Sequence, residues 1–418
     1  MRVYVESYGC AANMADGNLM AELLREAGHV IVSSPEDADA VILNTCTVRA
    51  ETEWRMVRRI RELLDSGRRL IVAGCIASAQ PGLVRRISPR ISMVSCRAVE
   101  RIVEAVESRG PVYILQPSPR RRLPSVVDGV KFVVPIAEGC RGYCTYCIVR
   151  VARGPLRSYP KGLIVDAVKE AVEGGAREIR LTAQDTASYG LDIGVDLPEL
   201  LRDVCAIGGD FMVRVGMMNP DSASPILDRL IEAYQNPKVY KFLHIPVQSG
   251  DDGVLRRMGR RYTVDEFKQI VEAFREAVPE ISIATDVIVG FPGEDEEAFA
   301  NTRRLLEDVR PDRVHIARYT PRPHTRAASM PQVPEPVKKR RSRELTKLAR
   351  EIALEFNRGM VGRELRCLVV GYSPRGQLEA RTPNYKPVYL EGCNQLIGGF
   401  YTLKITEAGP HFLRGVLI

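Results

Sequence analysis

The chain has 418 residues, 45% hydrophobic and 27% charged, a balance that excludes a disordered or collagen-like chain and allows two or three domains with cores of their own. No apolar run reaches the roughly 18 residues of a membrane span, and Met1-Arg2 leads straight into a short strand rather than a signal peptide. A cytoplasmic location with no membrane partner is expected, and ten cysteines there point to metal or redox chemistry rather than to disulfides.

Residues 1–108 alternate β-rich runs with amphipathic helical stretches, the pattern of a parallel α/β sheet. Val3–Ser7 leads to Gly9-Cys10, Ala40–Leu43 to Asn44-Thr45-Cys46, and Arg69–Ala73 to Gly74-Cys75. Strand carboxyl ends of such a sheet share one edge, so three thiols distant in sequence can converge there. Gly9 and Gly74 allow close backbone approach to a bulky group. Cys96 ends a fourth run, Ile91–Val94, and competes for a ligand place; it lacks the Gly or Asn-Thr approach and is left out of the trio. Residues 109–130, with Pro111, Pro117, Pro119, Pro124 and Arg120-Arg121-Arg122, form a connector, and the triple Arg is a candidate RNA contact.

Phe132–Ile136 reads as a strand, and Cys140-Arg141-Gly142-Tyr143-Cys144-Thr145-Tyr146-Cys147 follows it. Zinc sites pair separated C-x2-C knuckles or add histidines, and the next histidine after Cys147 is His244. Three closely spaced thiols fit an iron-sulfur cube better. Such a cube normally takes four cysteines, so one iron stays open for a small ligand. The same count applies to Cys10, Cys46 and Cys75.

From 131 to 335 strands and helices alternate six times, with strands expected at 131–137, 177–183, 210–217, 239–247, 281–289 and 312–319. Their carboxyl ends, where such barrels place chemistry, carry Gln184, Asp185, Arg214, Gln248 and Gly290. His244 and His315 each lie in an apolar strand and read as separate, hydrogen-bonded core residues. A basic helix is expected over 336–357. Lys338–Arg381 carries twelve Lys+Arg against five Glu, suited to polyphosphate, although Glu344, Glu351 and Glu355 also fit a solvated, ion-paired face. Residues 358–418 alternate short strands and turns, suggesting a small β-barrel from the runs Leu365–Val370, Gln377–Arg381, Pro387–Leu390 and Tyr401–Ile405. Arg381, Tyr385 and Lys386 combine charge with an aromatic able to stack on a base.

The C-x3-C-x2-C spacing resembles the radical S-adenosylmethionine (SAM) enzymes. Together with Tyr-Gly-Cys, Asn-Thr-Cys-Thr-Val-Arg and Ala-Gly-Cys at early strand ends, the chain resembles the methylthiotransferases over essentially its whole length. Ala152–Pro160, Leu181–Thr186, Gly216–Pro220 and Tyr319–Pro323 are similar to the archaeal and eukaryotic threonylcarbamoyladenosine branch. The resemblance implies an α/β fold in three parts: a parallel N-terminal domain, a partial (β/α)6 barrel and a TRAM-like RNA-binding β-barrel. It implies two 4Fe-4S clusters, on Cys140, Cys144 and Cys147 and on Cys10, Cys46 and Cys75. It also implies SAM as methyl donor and radical source, with Tyr146, Gln184, Asp185, Arg214, Gln248 and Gly290 around it, and tRNA as substrate, met at the anticodon stem-loop.

The reaction so implied methylthiolates carbon 2 of threonylcarbamoyladenosine and needs an electron donor and a sulfur donor. Arg150, Arg153 and Arg157 are candidates for the carboxylate of the modified base, for which a guanidinium is well shaped. Relatives outside this branch often have Pro at position 150, and many have Gly where His324 stands. Isopentenyladenosine, a ribosomal-protein aspartate, or a different radical reaction with an auxiliary cluster are the alternative readings.

Overall fold

In the computed structural model, which describes residues 1–418, the first apolar runs form a six-stranded parallel sheet. Its strands are β1 (Arg2–Ser7), β2 (Val30–Ile31), β3 (Ala40–Thr45), β4 (Arg69–Gly74), β5 (Ser92–Ser95) and β6 (Tyr113–Ile114), in the order β2-β1-β3-β4-β5-β6. Side chains alternate across β3. Ala40 and Ile42 pack with Leu19 and Leu24 of the helix Ala11–Glu26, whereas Val41 and Leu43 pack with Met56 and Ile60 of the helix Ala50–Asp65. Burial on both faces explains why β3 is a continuous apolar run.

Two later segments, 133–159 and 320–329, join residues 1–126 in one compact unit. Strand β7 (Lys131–Pro135) leads into it, and β8 (Ala137–Glu138) pairs antiparallel with β9 (Arg157–Ser158) around the cysteine loop. Segment 320–329 is held by Arg322, which is buried and donates to Thr47 Oγ1 at 2.9 Å. The Ala327 N–H donates to the Thr145 carbonyl at 2.9 Å.

The second unit comprises 127–132, 160–319 and 330–418. Here β10 (Glu178–Thr182) and β11 (Met212–Val215) pair in parallel, as do β12 (Phe242–His244), β13 (Ser282–Val289) and β14 (Arg313–Arg318). Helices intervene at Lys161–Glu173, Leu197–Ala206, Leu227–Gln235, Val264–Ala277 and Glu296–Val309. The fourth of these starts on a reciprocal capping box between Thr263 and Glu266. Strand β12 is much shorter than the expected 239–247. Pro246 has no N–H to donate to a ladder, and the Tyr262 hydroxyl donates toward the Pro246 and Val247 carbonyls at 3.1 and 2.9 Å.

After the helix Glu335–Arg358, five strands close a barrel: β15 (Glu364–Tyr372), β16 (Leu378–Arg381), β17 (Pro387–Leu390), β18 (Phe400–Ala408) and β19 (Leu413–Leu417). The sequence pattern located four of them; β19 closes the barrel between β17 and β18. Val369, Leu378, Ala380, Val388, Leu403 and Leu413 fill its interior.

Arg381, Tyr385 and Lys386, expected to face RNA, are engaged within this unit. Tyr385, at φ 66°, sets its ring 4.9 Å from that of Tyr240 and 5.1 Å from that of Phe242. Lys386 Nζ lies 2.8 Å from Asp312 and Arg381 2.7 Å from Glu379. Phe242 opens β12 and Asp312 precedes β14, so the loop plugs the amino ends of these strands and leaves the carboxyl ends to chemistry. Ala at Tyr385 should therefore lower the unfolding free energy by about 2 kcal/mol, below the range for a fully buried aromatic ring because this ring is only partly buried, and Phe by much less. The midpoint of denaturant unfolding measures both.

Candidate active site

The three N-terminal thiols lie along one edge of the first sheet, because β1, β3 and β4 are adjacent and in parallel register, with Ser7 opposite Asn44 and Thr45 opposite Gly74. Cys10 precedes the helix Ala11–Glu26, Cys46 directly follows β3, and Cys75 starts the helix Cys75–Ala79. Gly9 (φ +115°) is required by Cys46 itself: a β-carbon there would stand 2.8 Å from Cys46 Cβ. Gly74 (φ +87°) gives way in the same manner to the side chain of Asn44.

One side chain that sequence reasoning missed ties these loops together. Asn13, one helical turn after Cys10, donates Nδ2 to the carbonyls of Tyr8 at 2.9 Å and Thr45 at 2.8 Å. Its Oδ1 lies 3.6 Å from Cys75 Sγ and 3.9 Å from Cys10 Sγ. The same oxygen accepts from Arg153 at 2.7 Å. Arg153 is 3% exposed and lies 2.7 Å from Asp16 and 3.6 Å from Glu138. Burial by itself would lower its pKa, yet Asp16 and the thiols of Cys96, Cys75 and Cys10 hold it well above the ordinary value.

Arg153 is therefore turned inward, to Asn13, Asp16 and Glu138 beside the thiol trio. Arg120, a candidate RNA contact, is also turned inward, 2.6 Å from Asp16 and paired with Glu138. Arg122 pairs with Glu26 at 2.5 Å, and the backbone N–H of Arg121 donates to Glu100. Cys96 is fully buried on the same edge, with its Sγ 3.3 Å from the Ala152 carbonyl. A hydrogen bond with Cys96 raises the Cys75 thiol, and the same bond lowers Cys96; burial raises Cys46.

The second trio lies in the loop between β8 and the helix Ile148–Arg153, whose first turn follows Cys147. The Gly142 N–H donates to Cys140 Sγ at 3.2 Å. A β-carbon at Gly142 would meet Cys140 Sγ at 3.3 Å and Cys144 Sγ at 3.6 Å, so both sulfurs flank one point of the loop. All three thiols are partly exposed and none is in a disulfide. Tyr146 is half-buried between the last two. Behind Cys147, Ile148 and Ala152 pack on Cys75, Ala79 and Cys96, so one short helix spans from one trio to the other. Arg157 is exposed and donates to the Ser118 carbonyl at 3.2 Å. Arg150 stacks 5.2 Å from the centre of the Tyr143 ring, and its Nε is buried without a hydrogen-bond partner.

In the second unit, Asp185 is spent on structure: it accepts from the Asn219 N–H at 3.0 Å, Asn219 Nδ2 at 3.0 Å and Ser222 at 2.7 Å. Burial still raises its pKa. Gln248 holds φ 70° and bridges to β13 through backbone bonds with Asp286 and Ile288. The absent side chain of Gly290 makes room for Lys338, whose Cγ would lie 2.3 Å from a β-carbon there. Gln184 Oε1 and Arg214 Nε are buried without hydrogen-bond partners, and the Arg214 guanidinium lies over the rings of Phe242 and Tyr385 at 5.4 and 5.7 Å. Two such atoms suit a polar, zwitterionic ligand, since an unsatisfied buried polar atom costs about 1–3 kcal/mol. The donor sets thus fit both groups implied by the sequence: thiolate trios for iron-sulfur cubes and unpaired polar atoms for SAM.

Residues 134–306 match the Radical SAM superfamily, 2–95 the uncharacterized protein family UPF0004, and 358–418 the TRAM domain. A probable threonylcarbamoyladenosine tRNA methylthiotransferase of Pyrococcus horikoshii is 45% identical, covering 100% of both chains. The Homo sapiens protein named threonylcarbamoyladenosine tRNA methylthiotransferase is 35% identical over 99% of this chain and 73% of its own. The chain belongs to the threonylcarbamoyladenosine tRNA methylthiotransferase family. Among solved structures, the radical SAM methyltransferase TsrM from Kitasatospora setae has the same fold, with a TM-score of 0.57 at 16% identity over 78% of this chain and 76% of that one. No helix of this family member is long and apolar enough to cross a membrane.

In this methylthiotransferase-family chain, removing the Arg153 guanidinium would leave Asp16 buried beside the thiols with half its counter-charge. Arg153→Met should cost about 3–5 kcal/mol, the range for breaking a buried pair. Arg153→Lys should cost less, because it keeps the charge and loses the fork, whose Nη2 donates to both Asn13 and Asp16 while Nη1 faces Glu138. Chemical denaturation of the two variants checks the order.

Proposed function

We propose that the protein methylthiolates carbon 2 of threonylcarbamoyladenosine beside the tRNA anticodon. Full-length similarity to proteins named for that activity carries the reading, and two separate cysteine trios supply its chemistry. Cys140, Cys144 and Cys147 would hold one iron-sulfur cluster, and Cys10, Cys46 and Cys75 a second. When bound, these groups with SAM supply the radical that opens an unreactive C–H bond and the sulfur that replaces the hydrogen.

The protein's own residues bind, orient and balance charge. Thiolates around an anionic cluster accumulate negative charge, and buried Arg153 offsets it at the N-terminal trio while Asn13 holds the loops of Cys10 and Cys46 in register. Within the second unit, Gln184 and Arg214 offer their unpaired buried atoms to SAM. Asp185, Gln248 and Gly290 shape that wall through backbone and structural bonds. Arg150 and Arg157 are the guanidinium groups left to meet the carboxylate of the modified base. The exposed cations Lys339, Arg343, Lys347 and Arg350 on the helix Glu335–Arg358 suit tRNA phosphates. A one-electron donor and a sulfur donor complete the reaction.

The test is mass spectrometry of nucleosides after anaerobic incubation of reconstituted enzyme with SAM, reductant, sulfide and tRNA carrying either threonylcarbamoyladenosine or isopentenyladenosine. A methylthio product from the first tRNA alone is expected. Product from the second, or release of 5′-deoxyadenosine with no methylthio product from either, would overturn the assignment. In the same assay Arg150→Lys and Arg157→Lys should each lower methylthiolation several-fold, on the scale of one weakened charge-assisted bond, while 5′-deoxyadenosine release is unchanged.

A further inference from the structure

The two barrel histidines that the sequence presents as separate core residues lie side by side. His244 ends β12, Asp286 lies in β13 and His315 in β14, three adjacent parallel strands in which Asp286 stands directly opposite His315. His244 Nε2 is 3.1 Å from Asp286 Oδ2, and the two imidazole rings are 5.6 Å apart. One donor atom from each of the three residues falls within 4.8 Å of the other two.

We propose that His244, Asp286 and His315 bind a divalent first-row cation of the zinc class. Two imidazoles and one carboxylate are a donor set that zinc and its neighbours accept, with positions left over for water or another oxygen ligand. Ligands about 2.1 Å from a shared ion stand roughly 3 to 3.5 Å apart, so the His244–Asp286 separation already has the required span. His315 needs to close by an ångström or so, within the reach of a rotation of its side chain. The site is built on strands, which hold donors more firmly than loops. The His244 backbone is fixed on both sides, its carbonyl accepting from Met218 at 3.0 Å and the following N–H donating to Ala284 at 2.9 Å. The side chains of His244 and Asp286 keep 15% and 29% of their exposure, so an ion can enter. Phe242, its ring 6.4 Å from that of His244, supplies an apolar wall.

This site is independent of the cysteine trios, and its test is made on reconstituted holoenzyme. The protein is dialysed against zinc, passed through a desalting column, and assayed for zinc, iron and sulfide per chain, with X-ray absorption at the zinc edge. The expected result is one zinc per chain with a nitrogen and oxygen shell near about 2.0 Å. Loss of that zinc is expected in His315→Gln and His244→Gln, with iron and sulfide unchanged as the sign of an intact fold. Absence of zinc, zinc in a sulfur shell at about 2.3 Å, or zinc retained in both variants would overturn the proposal and mark the three residues as a hydrogen-bonded cluster only. If the variants lose iron as well, the zinc-edge spectrum of the unsubstituted protein decides alone.

Discussion

A buried guanidinium is the constraint on which the first unit depends. Arg153 ends the helix that begins after Cys147 and reaches Asn13 and Asp16 on the helix that begins after Cys10. Burying a charge is costly unless it is paired and hydrogen-bonded, and here the pairing is shared by Asp16, Glu138 and Arg120. The contacts that satisfy this charge also set two thiol-bearing loops at a defined spacing. Asn13 completes the arrangement by joining the loops of Cys10 and Cys46 through two backbone carbonyls. Packing of Ile148 and Ala152 against Cys75 and Cys96 adds apolar contact to the electrostatic connection.

The second unit divides its strand ends between structure and chemistry. At the amino ends, Tyr385 and Lys386 from the C-terminal barrel fill the space beside Phe242 and Asp312. Arg214 lies over the Phe242 and Tyr385 rings there, at 5.4 and 5.7 Å, whereas Gln184, past the end of β10, keeps a buried oxygen without a hydrogen-bond partner. The basic helix Glu335–Arg358 follows the same economy. Arg341 and Lys338 turn inward, to Glu294 at 2.6 Å and to the Tyr319 carbonyl at 2.9 Å, while its other cations face solvent.

Most of the fold was legible because each element carried its own signal. Continuous apolar runs marked the buried strands, amphipathic stretches marked the helices between them, and three cysteines at equivalent strand ends announced a shared edge. What stayed hidden depended on contacts between residues far apart in sequence. Arg153 read as a substrate contact because nothing near it in sequence reveals that Asp16 lies beneath it. Tyr385 carried a stacking aromatic's signature, yet its positive φ turns the ring toward Tyr240 and Phe242. His244 and His315, seventy-one positions apart, looked like isolated core residues until strand register brought them to Asp286. Cys96 was set aside for lacking an approach like that of Gly9 or Gly74, whereas those glycines make room for Cys46 and Asn44, a reason that does not bear on Cys96.

Each of the two cysteine trios of the first compact unit is proposed to hold an iron-sulfur cube. Iron and sulfide counts on anaerobically reconstituted protein, with Mössbauer spectra, test it most directly. About eight irons per chain are expected, falling to about four when Cys10, Cys46 and Cys75 are replaced together and again to about four when Cys140, Cys144 and Cys147 are. About four irons in the unsubstituted protein, unaffected by loss of the N-terminal trio, would contradict it.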